Sequence, residues 1–195
     1  MANLGHGRET AARERRAASR SCGTCSLCCT VLRVDELGKR AGDDCTHQCG
    51  DKGCGIYETR PQICRNYQCL WRQGGLEDGE RPNATGGIVD LETVGVGLRL
   101  GIRVRNRGDF ERSPRLLAIA ERYRSEMPVR ITDTEDVMNP DRPFQVLLPE
   151  GLSHHVEGTR IDVYRNGVLI EQRVLPWAER WARHVSIWWR NRRLH

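Results

Sequence analysis

The sequence predicts an α+β fold, with a Cys-rich, metal-stapled N-terminal region followed by a small antiparallel-type sheet with two packing helices. Three observations carry that expectation. All nine cysteines fall between Cys22 and Cys69, among glycines and charged residues. Past residue 86 short runs alternate apolar and polar residues, the signature of half-buried strands. Two later segments, opened by Pro114 and Pro176, carry apolar residues at helical spacing, which marks helices with one core-facing stripe.

Taken in order, residues 1–21 form a polar leader whose Ala, Glu and Arg content favours a frayed helix. The Cys-rich region is assigned to residues 22–86. Gly42, Gly50, Gly53 and Gly55 lie between its cysteines, and it has too few large apolar residues to hold together by burial alone. A covalent or metal cross-link is therefore expected before any motif is considered. A Gly-rich bridge from Gln73 to Gly87 reads as turns and places a boundary near residue 86. Residues 87–195 form the α+β region. There Val94, Val96, Leu98, Leu100, Ile102 and Val104 alternate with Gly95, Gly97, Arg99, Gly101 and Arg103, which predicts one long half-buried strand, with a bulge at a glycine as its expected irregularity.

Ser113-Pro114 supplies an N-cap and a first helical residue. Leu116, Ala120, Tyr123 and Met127 share one face of that helix until Pro128 stops it. Short strands are expected at residues 129–132 and 144–148. Asn166-Gly167, between Ile161–Tyr164 and Val168–Ile170, predicts a two-residue hairpin turn. Pro176 opens a last helix to about Arg193, and Trp177, Trp181, Val185 and Trp188 form a stripe expected to pack on the sheet.

Composition narrows the functional classes. The chain has 195 residues, 38% of them hydrophobic, with a net charge of +5; wholesale disorder is not expected, and so mild a balance does not identify a nucleic-acid binder. Arg180, Arg183, Arg190, Arg192 and Arg193 on the last helix are the residues that keep a nucleic-acid reading open. No apolar stretch resembles a secretory signal or a membrane span, so a cytoplasmic protein is expected. Thiols stay reduced there, and nine cysteines do not pair fully, so a disulfide framework is not expected.

The cysteines form two sets. The first is Cys22-x2-Cys25-x2-Cys28-Cys29, and the second is Cys45, Cys49 and Cys54 followed by Cys64 and Cys69. A C-x2-C turn lets two sulfurs face one ion, at about 2.3 Å from a zinc. Adjacent Cys28 and Cys29 diverge, which suggests either two mononuclear sites or a polynuclear centre. Thiolate softness admits zinc, iron or an iron–sulfur cluster and does not choose among them.

This pattern resembles a known family. Cys22-x2-Cys25-x2-Cys28-Cys29, a lone Cys45, then Cys54-Gly-Ile-Tyr-Glu-Thr-Arg-Pro-Gln-Ile-Cys64-Arg-Asn-Tyr-Gln-Cys69 is similar to the CxxCxxCC cysteine-cluster family, also called YkgJ-type, described as zinc- or iron-chelating. Arg81-Pro82-Asn83 resembles the Arg-Pro-Asp that often follows. The likeness covers roughly residues 22–88. It implies eight metal ligands, Cys22, Cys25, Cys28, Cys29, Cys45, Cys54, Cys64 and Cys69, with Cys49 extra. One relative, the flagellin lysine methylase, carries a similar cluster within a longer enzyme, but no cofactor-binding motif accompanies the cluster in this chain.

Around the cysteines, His47 offers a ring nitrogen, Arg60 and Arg65 could offset thiolate charge, and Tyr57 and Tyr67 could lid the cluster. His154-His155 reads as a pair in a loop, with no acid–base partner nearby. Two alternatives stay open beside metal binding of unresolved cellular role. One is a metal- or cluster-dependent enzyme for redox chemistry or protein modification. The other is a zinc-stapled interaction module whose strand at residues 94–104 recruits an unknown protein partner.

Overall fold

The computed structural model describes residues 3–192, with side chains described from Thr10 to Trp189 and at Arg192. A seven-stranded sheet is the frame, in the spatial order of the chain: β1 (Gly87–Val94), β2 (Gly97–Val104), β3 (Val129–Thr132), β4 (Phe144–Leu147), β5 (Leu152–Glu157), β6 (Arg160–Arg165) and β7 (Val168–Val174). Neighbours pair antiparallel except β2 with β3, which run parallel. That pairing needs a crossover, and α5 (Pro114–Arg124) provides it. The α+β class and the antiparallel character of the sheet stand, with seven strands rather than a small set.

The sheet has two unlike faces. Register puts Val89, Leu91, Leu100, Ile102, Val104, Val129 and Ile131 on one side. There α5 buries Leu116, Ile119 and Ala120 against them, starting as expected where the Ser113 hydroxyl accepts from the Leu116 amide. Leu70, Trp71 and Leu76 join the same core, so the hydrophobic interior runs continuously across residue 86. On the opposite side lie Ile88, Asp90, Glu92, Arg99 and Arg103. The Glu92 carboxylate accepts from Arg99 and Arg103, and Arg103 also pairs with Asp90. Period two thus serves an apolar core on one side and an ion-pair ladder on the other.

Three expectations need correction. Residues 94–104 are not one strand: the chain reverses at Gly95-Val96, where Gly95 has φ +58°, and β1 and β2 pair from Val94↔Gly97 back to Gly87↔Val104. The alternation of apolar residues continues through the turn, which is why it reads as unbroken. His154 and His155 are on β5, not in a loop; their side chains take opposite faces, and His155 stacks on Tyr164 at 4.7 Å. The last helix, α6 (Trp177–Asn191), does not pack its indoles on the sheet, for Trp177, Trp181 and Trp188 are all exposed. The expected end near Arg193 lies outside the described residues. The hairpin at Asn166-Gly167 forms as expected, with φ of 50° and 80° at its two turn residues.

The leader is helical, α1 (Asn3–Ser19), and Arg20 anchors its end. Its buried guanidinium donates to the carbonyls of Trp71 (2.5 Å) and Leu76 (2.8 Å) and lies 4.6 Å over the Trp71 ring. At the other end of the chain, α6 is fastened by polar contacts. Asp141 accepts from Arg180 Nη2 at 2.9 Å and meets His184 Nε2 at 3.1 Å, and Arg183 donates to the Pro140 carbonyl. No helix among the described residues is long and apolar enough to cross a membrane.

The Asp141 contacts generate a pH prediction. Arg180 first, and then His184, hold the Asp141 carboxyl below its ordinary value of 3.8. A depressed carboxylate stabilises above its unfolded value and loses that contribution as pH falls through its lower folded value. The α6 fastening is therefore expected to hold above pH 3.8 and loosen below it. Asp141→Asn should loosen α6 at neutral pH too, seen as faster amide exchange over residues 177–189; unchanged exchange would contradict this.

Candidate metal centre

Three chain segments bring the cysteines together. In the first, the Cys25 amide donates to the Cys22 carbonyl at 2.8 Å, closing a turn through Gly23 with φ +49°. The helix α2 (Leu27–Val31) follows and carries Cys28 and Cys29. In the second, the Cys45 amide donates to the Cys29 carbonyl at 3.0 Å, which sets Cys45 beside Cys29. The loop is braced there: the Thr30 hydroxyl donates to Asp44, and the Gln48 amide to the Ser26 hydroxyl. Gln48 pairs with Cys54 as an isolated bridge, returning the chain. In the third, α3 (Gln62–Asn66) carries Cys64, and its first amides, of Gln62 and Ile63, donate to the Glu36 carboxylate at 3.1 and 3.0 Å. Cys69 stands one residue before Leu70, whose amide donates to Val89 on β1 at 2.7 Å.

The eight family-type cysteines, Cys22, Cys25, Cys28, Cys29, Cys45, Cys54, Cys64 and Cys69, all line one cavity of about 710 Å³ between the Cys-rich lobe and the ion-pair face of the sheet. All nine thiols are free. Cys49 is the exception in position: it is exposed, lies outside the cavity lining, and its thiol approaches the His47 carbonyl at 3.8 Å. His47 does line the cavity. Within this wide space no three His, Cys, Asp or Glu side chains among the described residues already stand at metal-ligand spacing; the thiols converge on a cavity, not yet on a point.

The thiols lie within electrostatic reach of one another. Cys28 is raised by its hydrogen bond to Cys29 and by burial, and then by the charges of Cys29, Cys22 and Cys25. Burial pushes Cys69 up to about 11, with Cys25 and Cys22 as its thiol neighbours. Cys54 and Cys64 are raised by burial, and both feel Cys29 and Cys45. Cys28 and Cys69 thus feel Cys22 and Cys25, whereas Cys54 and Cys64 feel Cys29 and Cys45. The Cys28–Cys29 hydrogen bond, assisted by Lys39 and opposed by burial, lowers Cys29 to about 7. The donor set, eight unpaired thiols around one cavity, is of the type that soft metals take.

Cationic groups surround these thiols. Lys39 is buried, and its ammonium donates to the carbonyls of Thr30 (3.1 Å), Leu32 (2.5 Å) and Arg40 (2.9 Å), capping the end of α2. Burial lowers its pKa, against the pull of Cys45, Asp43 and Cys29. Arg60 lines the cavity with its guanidinium 3.7 Å over the Tyr57 ring, whereas Arg65 is exposed and outside it. Arg81 donates to the Cys22 carbonyl and sits over Trp71 at 5.4 Å, so it shares that ring with Arg20.

Tyr57 and Tyr67 both line the cavity, as expected. Tyr67 does more: its hydroxyl donates to Asp90 at 2.9 Å. Burial first, then Asp90, raises the tyrosine, and burial raises Asp90 in spite of Arg103. Lys39, Asp90 and Arg103 were not among the residues singled out from sequence. Asp90 carried a usable signal, a lone acid inside the apolar run Ile88-Val89-Asp90-Leu91. Lys39 carried none, because its burial depends on the turn that folds it back onto α2.

No protein-family model, curated protein or solved structure matches the chain. The site accordingly rests on its own geometry.

One close approach holds the first and second cysteine segments together. A Cβ built on Gly53 would lie 2.3 Å from the Gly23 carbonyl oxygen, and Gly53 has φ +81° and ψ −136°, a region closed to other residues. Gly53→Ala is expected to destabilise the protein by at least about 1 kcal/mol and to increase amide exchange over residues 22–69. Gly50→Ala, at φ +51° with open space around it, should cost less. Equal effects in thermal unfolding would contradict the close approach.

Proposed function

We propose that this is a metal-binding protein that holds zinc or iron, or an iron–sulfur cluster, in two interleaved four-cysteine sites: Cys22, Cys25, Cys28 and Cys69 in one, Cys29, Cys45, Cys54 and Cys64 in the other. The observation that carries the reading is the convergence of eight thiols from three chain segments on one cavity, with the ninth left outside. Soft thiolates suit these metals, and binding contracts the cavity lining to ligand distance. A zinc ion would supply a cross-link, and an iron–sulfur cluster would also supply a one-electron carrier.

The chain's own residues prepare the site. The Glu36 carboxylate fixes the start of α3 and with it Cys64. The Cys45-to-Cys29 backbone bond fixes a ligand pair. Each four-thiolate site around a divalent ion carries a net −2, and Lys39, Arg60, Arg72 and Arg103 at or near the cavity oppose that charge. A second reading, a metal-dependent enzyme, is favoured by one feature: about 710 Å³ exceeds the room two ions need and matches ligand pockets.

Cysteine variants test the pairing. Cys28→Ser and Cys54→Ser should each lower metal content by about half in protein prepared without oxygen. Combining Cys28→Ser with Cys69→Ser should lose no more than either alone, whereas combining Cys28→Ser with Cys54→Ser should empty both sites. Cys49→Ser should keep full stoichiometry. Full metal content in both Cys28→Ser and Cys54→Ser contradicts the assignment.

A further inference from the structure

The ion-pair face of the sheet holds one arginine that the ladder does not use. Arg130 on β3 stands opposite Gly101, whose neighbours on that face are Arg99 and Arg103. The Glu92 side chain fills the space over Gly101, where a Cβ would meet its carboxylate oxygen at 2.6 Å. There it accepts from Arg99 and Arg103. Arg130 makes no hydrogen bond or ion pair with another described residue, and its Nε is enclosed without a partner. Its guanidinium lies instead 4.5 Å over the Phe144 ring.

That arginine is charged and unmatched. Burial first, and then Arg99, lower its pKa to about 10, with Arg142 and Arg103 adding to the effect and Glu92 opposing it. It still keeps its proton at neutral pH, so a largely enclosed positive charge faces further positive charges. A charge left in that state is unfavourable until a counter-charge joins it. Two more guanidiniums stand close by. Arg183 of α6 lies 5.3 Å from the Phe144 ring, and its Nη2 donates to the Pro140 carbonyl, which fixes the fork without neutralising it. Arg142 donates to the Asp133 carbonyl and lines the thiol cavity, as do Ile187 and Trp189 of α6.

We propose that Arg130, with Arg142 and Arg183 beside it, binds a dianionic oxyanion, the phosphate group of a ligand, between β3 and α6 at the wall of the thiol cavity. A phosphate group supplies what the site lacks: negative charge at a guanidinium that has no partner, and oxygen acceptors for a planar fork. Phe144 holds the plane of that fork, so little freedom is lost when the anion arrives. A dianion suits the site because more than one guanidinium adds its charge there. The thiols take no part in this binding, so the site stands or falls apart from their metal.

Thermal unfolding of the full chain, with its metal content intact, tests this with inorganic phosphate titrated at a constant ionic strength set by sodium chloride. The melting temperature should rise with phosphate concentration by mass action and yield a dissociation constant. Arg130→Met keeps an apolar stem against Phe144 and removes the charge; it should weaken phosphate binding by about tenfold or more. Arg142→Gln should weaken it by at least about threefold, and it alone decides the matter if Arg130→Met does not fold. Arg115→Gln, on α5 at the opposite face of the sheet, should bind phosphate as the wild type does. A wild type that binds no phosphate at about 10 mM, or an affinity unchanged by the Arg130 and Arg142 substitutions, would overturn the proposal.

Discussion

Between Cys22 and Cys69 the only buried apolar side chains among the described residues are Val31 and Val34. That shortage constrains everything around it. At roughly 25 cal/mol per Å² of apolar surface, two valines cannot offset the entropy of ordering a segment of this length. The segment is ordered by other means: a buried ammonium that gathers three carbonyls, a carboxylate that starts α3, a glycine pressed against a neighbouring turn, and eight thiols facing one cavity. Under the metal-site proposal these polar devices place the ligands, and the ligands supply the cross-link that burial does not.

The rest of the fold is conventional by comparison and gives that lobe its platform. One face of the sheet packs against α5 in an apolar core that also takes in Leu70, Trp71 and Leu76. The other face carries the Asp90–Arg103–Glu92–Arg99 ladder and turns its Asp90–Arg103 end toward the thiols. Cys69 joins the two, because the residue after it is bonded to β1 and the residue two further on is Trp71, whose ring both Arg20 and Arg81 approach. Displacing Trp71 would thus disturb the core and one thiol group together.

Much of this was legible from residue patterns, and the failures have physical causes. The Ser113 cap, the Asn166-Gly167 turn and the strand at Val129–Thr132 are local signals, and local chemistry forms them. The reversal at Gly95-Val96 was hidden because an apolar residue at every second position continues through a turn as readily as through a strand. β5 was hidden because His154 and His155 are not strand-favouring residues; their neighbours in β4 and β6 decide the matter. The tryptophans of α6 matched an amphipathic period, yet period shows only that a face exists, not what covers it. In the cysteine segment, spacing marked a thiolate cluster, and the family resemblance implied the eight ligand candidates and set Cys49 apart. The proposed division into two fours rests on how Cys45 folds back on Cys29 and how Cys69 leads into the residue bonded to β1, contacts that no spacing encodes.

The central claim is that the eight converging thiols are metal ligands, and thiol accessibility measured alongside metal and acid-labile sulfide tests it most directly. In protein purified without oxygen, the account expects bound zinc or iron, with sulfide if the iron is in a cluster. It also expects one thiol to react rapidly with a thiol reagent, Cys49, while the other eight react only after the metal is removed. A fully folded protein that contains no metal and presents nine titratable thiols would contradict it.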